Sequence, residues 1–185
     1  MDVVAGIDDN PNIRIMRLFN EAKGKEYLKN ELNISPELVE KLDLLGISSI
    51  ANIMGTIKLT KHFEMNEKDT LITVATDSME MYQSRLAEEK TKHGEFTSPD
   101  AAVSFEADLM GLSIDHMIEM NYYEKQRMHN LKYFTWIEQQ GKTVEELNAQ
   151  WYDDNYWKSR YQMADKWDEK INEFNERTGV VKEYR

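Results

Sequence analysis

The sequence predicts a mostly helical protein with a short β element. Apolar residues recur at helical spacing along most of the 185 residues, a pattern typical of helices that bury one face. Only two short runs, near residues 2–6 and 70–75, are rich in the β-branched apolar residues that favour strands. With 41% hydrophobic residues, the chain is long enough to form a substantial core.

The N-terminal run DVVAG predicts a strand, which the turn-forming stretch DDNPN ends. Apolar residues at helical spacing then predict a helix over residues 13–32, with Gly24 as its weak point. The pair Ser35-Pro36 predicts the start of the next helix, because serine caps helices and proline fits their first turn.

A mostly apolar run, SSIANIMGTIKLTKHF, predicts a largely buried helix with Ser48 or Ser49 at its start. The second β-like run, residues 70–75, follows after a turn. The run LITVA within it has almost no polar alternation, so both of its faces require cover, as in a parallel α/β sheet. Two strands alone do not form a stable sheet in water. Two interpretations stay open: neighbouring strands come from elsewhere, or the runs form a buried edge ribbon on a helical domain.

The remainder of the chain is predicted to be helical. Asp77 with Glu80 resembles a capping box that opens a helix, and Thr143 with Glu146 resembles a second one. Ser98-Pro99 is predicted to open a helix that extends to about Ile118. The last helical stripe carries apolar residues that should pack back on the protein, namely Trp167, Ile171 and Phe174.

The net charge and the cysteine content exclude several kinds of partner and site. The net charge is −11, which argues against nucleic acid and anionic membranes as partners, because both require a basic face. No apolar stretch approaches the length of a membrane span. Cysteine is absent, so disulfides, thiolate nucleophiles and cysteine metal sites are excluded, and a cytoplasmic location is the default expectation.

The run GISSIANIMGTIKLTKHF, a short turn and LITVATDSMEMY together resemble the C-terminal part of the cysteine-synthase-like, fold-type-II pyridoxal-phosphate enzymes. The upstream MDVVAGIDD resembles the strand and turn that precede this helix in the same family. The downstream HNLKYFTWIEQQGKTVEELNAQWYDDNYW resembles the extended tail of a subgroup described as a pyridoxal-phosphate-dependent β subunit. The similarity covers most of the chain.

The resemblance implies that Ser78 binds the cofactor, through a hydrogen bond to its pyridine nitrogen. A neutral hydroxyl there suits β-elimination and β-replacement better than transamination. Read without the resemblance, Ser78 is an ordinary residue of a first helical turn. The sequence departs from the family at two positions. Thr76 stands where the family has proline, and Ile50 stands where it has glycine. The isoleucine would keep a ligand from approaching the backbone closely, so Ser48 and Ser49 are expected to cap the helix and not to bind a ligand.

The family's Schiff-base lysine and Gly-rich phosphate loop both lie upstream of the matched region. This chain has 8 glycines and no Gly-rich cluster, and none of its lysines stands in the family's context. The expectation is therefore a C-terminal segment of a longer or split enzyme, with no catalytic residue of its own. Pyridoxal 5′-phosphate is expected in the complete enzyme and not on the isolated chain.

Other candidate sites carry weaker signals. The four histidines, His116 beside Asp115 among them, match no established metal spacing, so no metal site is predicted. Asp153 and Asp154 are adjacent and point to different faces of a helix, which disfavours joint acid–base catalysis. The four tryptophans are expected in the core or at an interface.

Together these arguments predict the C-terminal part of a fold-type-II α/β domain over residues 1–94 and a helical extension over 95–185. The complete enzyme is expected to catalyse β-elimination or β-replacement on an amino acid, in the manner of cysteine synthase or threonine synthase. The expected partners are an upstream catalytic portion or companion chain, and a second copy in a homodimer. The alternative is a non-catalytic helical module for interaction or regulation.

Overall fold

The computed structural model describes residues 2–183, most of which are helical. Strand β1 (Val3–Ala5) pairs antiparallel with β2 (Met117–Glu119), and Val4 lies opposite Ile118. This ribbon is the whole of the sheet within the described residues. The prediction of a mostly helical chain with a short β element is therefore confirmed.

The chain forms two compact units, the first ending at Glu119 and the second beginning at Met120. This division differs from the predicted boundary between residues 94 and 95. The helices of the first unit are α1 (Asp9–Asn20), α2 (Ala22–Asn30), α3 (Pro36–Glu40), α4 (Ile47–His62), α5 (Gln83–His93) and α6 (Ser98–Val103). Its irregular helical segments are the 3-10 turns Lys41–Leu44 and Met79–Tyr82 and the π-helical segment Ser104–Met110.

Helix α1 is the centre of the first unit, because it contacts α2, α4 and the π-helical segment. Its Ile15, Met16 and Leu18 are fully buried. Ile50 and Met54 of α4 join them in the same core. The apolar residues of α1 and α4 thus meet in one buried core.

The predicted helix over residues 13–32 is two helices in the structure, which meet at Glu21. The backbone of Glu21 is extended, with a ψ of 150°, and this turns α2 back against α1. Gly24 permits the close contact, because a Cβ there would lie 2.1 Å from the carbonyl oxygen of Leu18. Gly24 is therefore a packing requirement as well as a weak helix former.

Several predicted helix starts are confirmed. The Ser35 hydroxyl accepts the N–H of Leu38, with Pro36 in the first turn of α3. One start is shifted by a residue: Thr97, and not Ser98, caps α6, in a capping box with Asp100.

Two predicted elements differ in the structure. Residues 70–75, predicted as a strand, have no regular secondary structure and form no strand pair with any described residue. The helix expected to continue to Ile118 ends at Met110, and the second strand is Met117–Glu119. Helical spacing of apolar residues did not reveal the turn at Gly111, whose N–H bonds back to the Glu106 carbonyl at 2.7 Å.

The second unit consists of short helices. They are α7 (Tyr122–Asn130), α8 (Val144–Tyr152), α9 (Tyr156–Tyr161), α10 (Ala164–Thr178) and α11 (Val180–Glu183), with a π-helical segment at Tyr133–Glu138. Thr143 caps α8 by accepting the N–H of Glu146, as predicted. Trp151 of α8 packs its ring against Tyr122 and His129.

The apolar stripe of α10 is exposed. Trp167, Ile171 and Phe174 are each more than half exposed. Across residues 2–183, no single helix has the length and apolar composition that crossing a membrane requires.

Candidate functional site

The candidate site lies where residues 71–76, which have no regular secondary structure, run beside α4. Leu71 and Thr73 line a small cavity together with side chains of α4. The side chains of Ile72 and Val74 are 86% and 64% exposed. The segment therefore contacts α4, while two of its β-branched apolar residues face solvent.

Two backbone groups of this segment are bonded to α4. The Asn52 amide donates to the Val74 carbonyl at 3.0 Å, and the Ser49 hydroxyl accepts the N–H of Thr76 at 3.0 Å. The backbone groups of residues 71, 72, 73 and 75 have no hydrogen-bond partner within the described part of the chain. Unpaired N–H and C=O groups of this kind can pair with the backbone of another chain.

Asp77 ends the segment and caps α4. Its carboxylate accepts the N–H of Ser49 at 3.1 Å, the Ser49 hydroxyl at 2.9 Å and the Tyr82 hydroxyl at 2.5 Å. Its carbonyl accepts the N–H of Gly46 at 2.9 Å. Gly46 stands at the N-cap of α4 and supplies no capping side chain, so Asp77 satisfies the free N–H groups from a distant part of the sequence.

These contacts set the charge of the site. Burial alone would raise the pKa of Asp77, but hydrogen bonds from Tyr82, from the Ser49 hydroxyl and from the backbone N–H groups of Ser49 and Ser48 lower it to about 2. The hydrogen bond between the Tyr82 hydroxyl and the Asp77 carboxylate also raises the pKa of Tyr82. Asp77 is therefore an anion at neutral pH, held at the positive end of α4.

Gly46 provides the space for this arrangement. A Cβ at Gly46 would lie 2.7 Å from the Asp77 carboxyl carbon and 2.9 Å from the Tyr82 ring. Any larger residue would push the carboxylate off the helix end. The glycine is needed for close approach, since its own backbone conformation is open to all residues, with φ at −78°.

Ser78 follows directly and is half-buried. It stands at the N-terminus of the 3-10 turn Met79–Tyr82, and its carbonyl accepts the N–H of Met81 at 3.3 Å. The next residue, Met79, is only 1% exposed and anchors the turn in the core. Within residues 2–183 the Ser78 hydroxyl has no hydrogen-bond partner, so it is available to an incoming group.

The described residues do not by themselves fit pyridoxal phosphate. The convergent N–H donors nearest Ser78 are those of the α4 N-terminus, and Asp77 already occupies them. The buried lysine, Lys58, donates its ammonium to the Gly6 carbonyl, the Asp115 carbonyl and the Asp115 carboxylate. Its cavity does not include Ser78. Only the Ser78 hydroxyl is compatible with a cofactor contact.

The histidine and acidic residues considered from the sequence do not come together as a site. The described residues contain no group of three or more acidic or histidine side chains placed to hold a metal. His62 instead pairs with Glu119 at 2.8 Å, and His116 lies 3.8 Å from Asp115. Asp153 accepts the N–H of Asn155, a local turn contact.

Sequence reasoning missed the role of Asp77 as the cap of α4. It assigned this residue to its own helix, in a capping box with Glu80. The sequence does contain a signal for this role at the N-terminus of α4. The N-cap residue there is Gly46, which has no side chain to accept the first N–H groups of the helix, so an acceptor must come from elsewhere.

Known proteins offer no match. Comparisons of this chain with models of protein families, with curated proteins and with solved structures all found nothing similar. The family resemblance therefore stays a hypothesis.

Proposed function

We propose that this chain is the C-terminal part of a fold-type-II pyridoxal-phosphate enzyme that acts on an amino acid by β-elimination or β-replacement. In this proposal the chain contributes one wall of the site and depends on a companion portion for the chemistry. The observation that carries it is the apolar segment over residues 71–76, with exposed Ile72 and Val74 and largely unpaired backbone, which leads to the unpartnered hydroxyl of Ser78.

The segment has the properties of a strand without neighbours. Covering Ile72 and Val74 would stabilise an assembly by about 1.5–3 kcal/mol per side chain, before backbone hydrogen bonds are added. A strand with apolar residues on both faces is typical of parallel sheets buried between helices. A companion that supplies adjacent strands is thus the partner that this segment fits best.

The position of Ser78 also supports the proposal. Ligands of open α/β sheets bind beyond the carboxyl ends of strands, and Ser78 follows the end of this segment. Pyridoxal phosphate, when bound, supplies an electron sink for the α carbon of an amino acid. Ser78 would hold the ring nitrogen with a neutral hydroxyl. Asp77 would keep the segment end fixed against α4.

The companion must supply a Schiff-base lysine and a Gly-rich phosphate loop, in the same polypeptide or in a second one. A homodimer of the assembled enzyme is part of the proposal, with the helical second unit packing on the body or on a partner. The compartment proposed for the enzyme is the cytoplasm.

The test is co-expression with the protein encoded immediately upstream. We expect the two to co-purify and, with pyridoxal phosphate, to show the visible absorbance of the protein-bound cofactor at roughly 410–430 nm. Ile72→Asp with Val74→Asp should abolish co-purification. Met81→Asp is the matched control, because Met81 is an exposed apolar residue, 73% exposed, outside the segment.

Two results would contradict the proposal. One is an upstream sequence that encodes neither the lysine nor the glycine loop. The other is a co-purifying complex whose absorbance is the same with Ser78 and with Ser78→Asp.

A non-catalytic interaction module is the second candidate, and the exposed stripe of α10 favours it. Trp167, Ile171 and Phe174 lie at i, i+4 and i+7 on one helix face, which is the pattern of a helix that docks into a groove. Binding of a partner that survives the Ile72 and Val74 changes, and is lost with Trp167→Asp, would favour this function.

A further inference from the structure

A pocket of about 380 Å³ lies in the first unit between α1, α5 and α6, away from Ser78. Its volume falls within the range of small-molecule sites. Four permanently positive side chains line it, against three carboxylates. The basic residues are Arg14, Arg17, Arg85 and Lys92, and the acidic ones are Asp9, Glu89 and Asp100. The three arginines are already paired with carboxylates: Arg14 with Asp108, Arg17 with Glu21, and Arg85 with Glu88 and Glu89.

Arg14 and Arg17 are held in place by hydrogen bonds that leave some of their N–H donors free. Arg14 binds Asp108 through Nε and Nη2, both at 2.7 Å. Arg17 donates from Nη2 to the Gly94 carbonyl at 2.7 Å and from Nε to Glu21. A guanidinium has five N–H donors, so each retains several after these contacts. Such anchoring lowers the entropy cost of binding a ligand.

Two carboxylates of the pocket already have partners. Glu89 is 5% exposed, and its two oxygens face Arg85 at 3.0 Å and His93 at 3.5 Å. Asp100 accepts the hydroxyl and the N–H of Thr97 in the capping box of α6, and these bonds lower its pKa. The pair with Arg85 offsets the charge of Glu89.

Lys92 is the unpaired cation of this pocket. Among residues 2–183 its ammonium has neither a hydrogen-bond partner nor an ion-pair partner. It sits seven residues after Arg85 on α5, so both lie on the same helix face. Arg85 already pairs with Glu88 and Glu89, at 3.0 Å each, and keeps further N–H donors. An anion between the two would meet the free ammonium of Lys92 and these remaining donors.

Another part of the lining is apolar and flat. Phe96 is 6% exposed, and the Arg17 guanidinium lies 5.1 Å from its ring centroid. Ile13 and Val103 complete this apolar part. The pocket thus offers a cationic rim beside an aromatic and aliphatic wall.

We propose that this pocket binds a small organic carboxylate, with the carboxylate held by Arg85 and Lys92 and the apolar body placed against Phe96 and Ile13. The planar forks of arginine match a carboxylate, and the wall favours a ligand with an aromatic or aliphatic body over a bare ion. This site is independent of the function proposed for Ser78.

The test is isothermal titration of the full chain with benzoate and, separately, with inorganic phosphate at low ionic strength. We expect saturable benzoate binding, with phosphate weaker. Lys92→Gln and Arg85→Gln should each weaken benzoate binding by about 5- to 10-fold, through loss of one charge-assisted hydrogen bond. Lys90→Gln is the matched control, because it removes the same charge from the same helix outside the pocket.

Retained benzoate binding in Lys90→Gln with weakened binding in the other two variants would support the site. Three outcomes would overturn it: no saturable benzoate binding by the unaltered chain, equal weakening in all three variants, or phosphate binding as tight as benzoate binding. Circular dichroism of each variant ensures that lost binding is not lost folding.

Discussion

Replacing Asp77 by alanine tests the contact that ties residues 71–78 to α4. The substitution removes the acceptor for the N–H of Ser49 at 3.1 Å and for the Tyr82 hydroxyl at 2.5 Å. Loss of a helix cap costs about 0.5–2 kcal/mol. Donors left without an acceptor in a half-buried place add about 1–3 kcal/mol. We expect the free energy of unfolding to fall by about 2–4 kcal/mol.

Urea denaturation at neutral pH, followed by far-UV circular dichroism, measures this change. Glu80→Ala is the control, because Glu80 is an exposed acid three residues away and surface changes usually stay within about 0.5 kcal/mol. A loss below about 1 kcal/mol in Asp77→Ala, or one equal to that of Glu80→Ala, would refute the capping role.

The pH dependence provides a second check. The pKa of Asp77 is about 2 in the folded protein, against an ordinary value of 3.8. The ionised carboxylate therefore contributes its full stability above about pH 4, and this contribution is lost as the pH falls toward 2. The stability difference between the unaltered chain and Asp77→Ala should shrink over that interval.

Four further substitutions test separate parts of the structure. Gly24→Ala should destabilise the protein by about 1–3 kcal/mol, because its Cβ would meet the main chain of α1 at 2.1 Å. Gly55→Ala, in open space within α4, should instead stabilise it by about 0.5–1 kcal/mol, and urea titration distinguishes the two. Arg14→Lys should cost about 1–2 kcal/mol, through loss of one of two hydrogen bonds to a buried carboxylate. Ser78→Ala should leave stability within about 0.5 kcal/mol while changing the absorbance of the cofactor-loaded complex; a large loss of stability would assign it a structural role.

Local chemistry made the helix starts predictable from the sequence. Ser35, Thr143 and the apolar periodicity of α1 and α4 act within one or two helical turns, so a single sequence reveals them. The break at Glu21 and the end of the helix at Met110 depend on long-range packing. Helical spacing continues across both, which is why the pattern predicted longer helices.

The candidate site was predictable only in part. The β-branched run before Ser78 indicated a strand, and in the structure its residues have no regular secondary structure and no strand partner among the described residues. The cap by Asp77 joins residues 28 positions apart, and no local pattern encodes such a distance. The pocket between α1 and α5 likewise requires side chains from separate helices, so sequence spacing did not reveal it.

Hydrogen exchange at the amides of Leu71, Thr73 and Ala75 tests the central claim most directly. Their N–H groups have no acceptor within the described residues, so we predict fast exchange in the chain alone. In the complex with the companion portion, a paired strand edge should slow exchange by roughly 100-fold. Protection in the isolated chain, or equally fast exchange in the complex, would contradict the claim that this segment is completed by a partner strand.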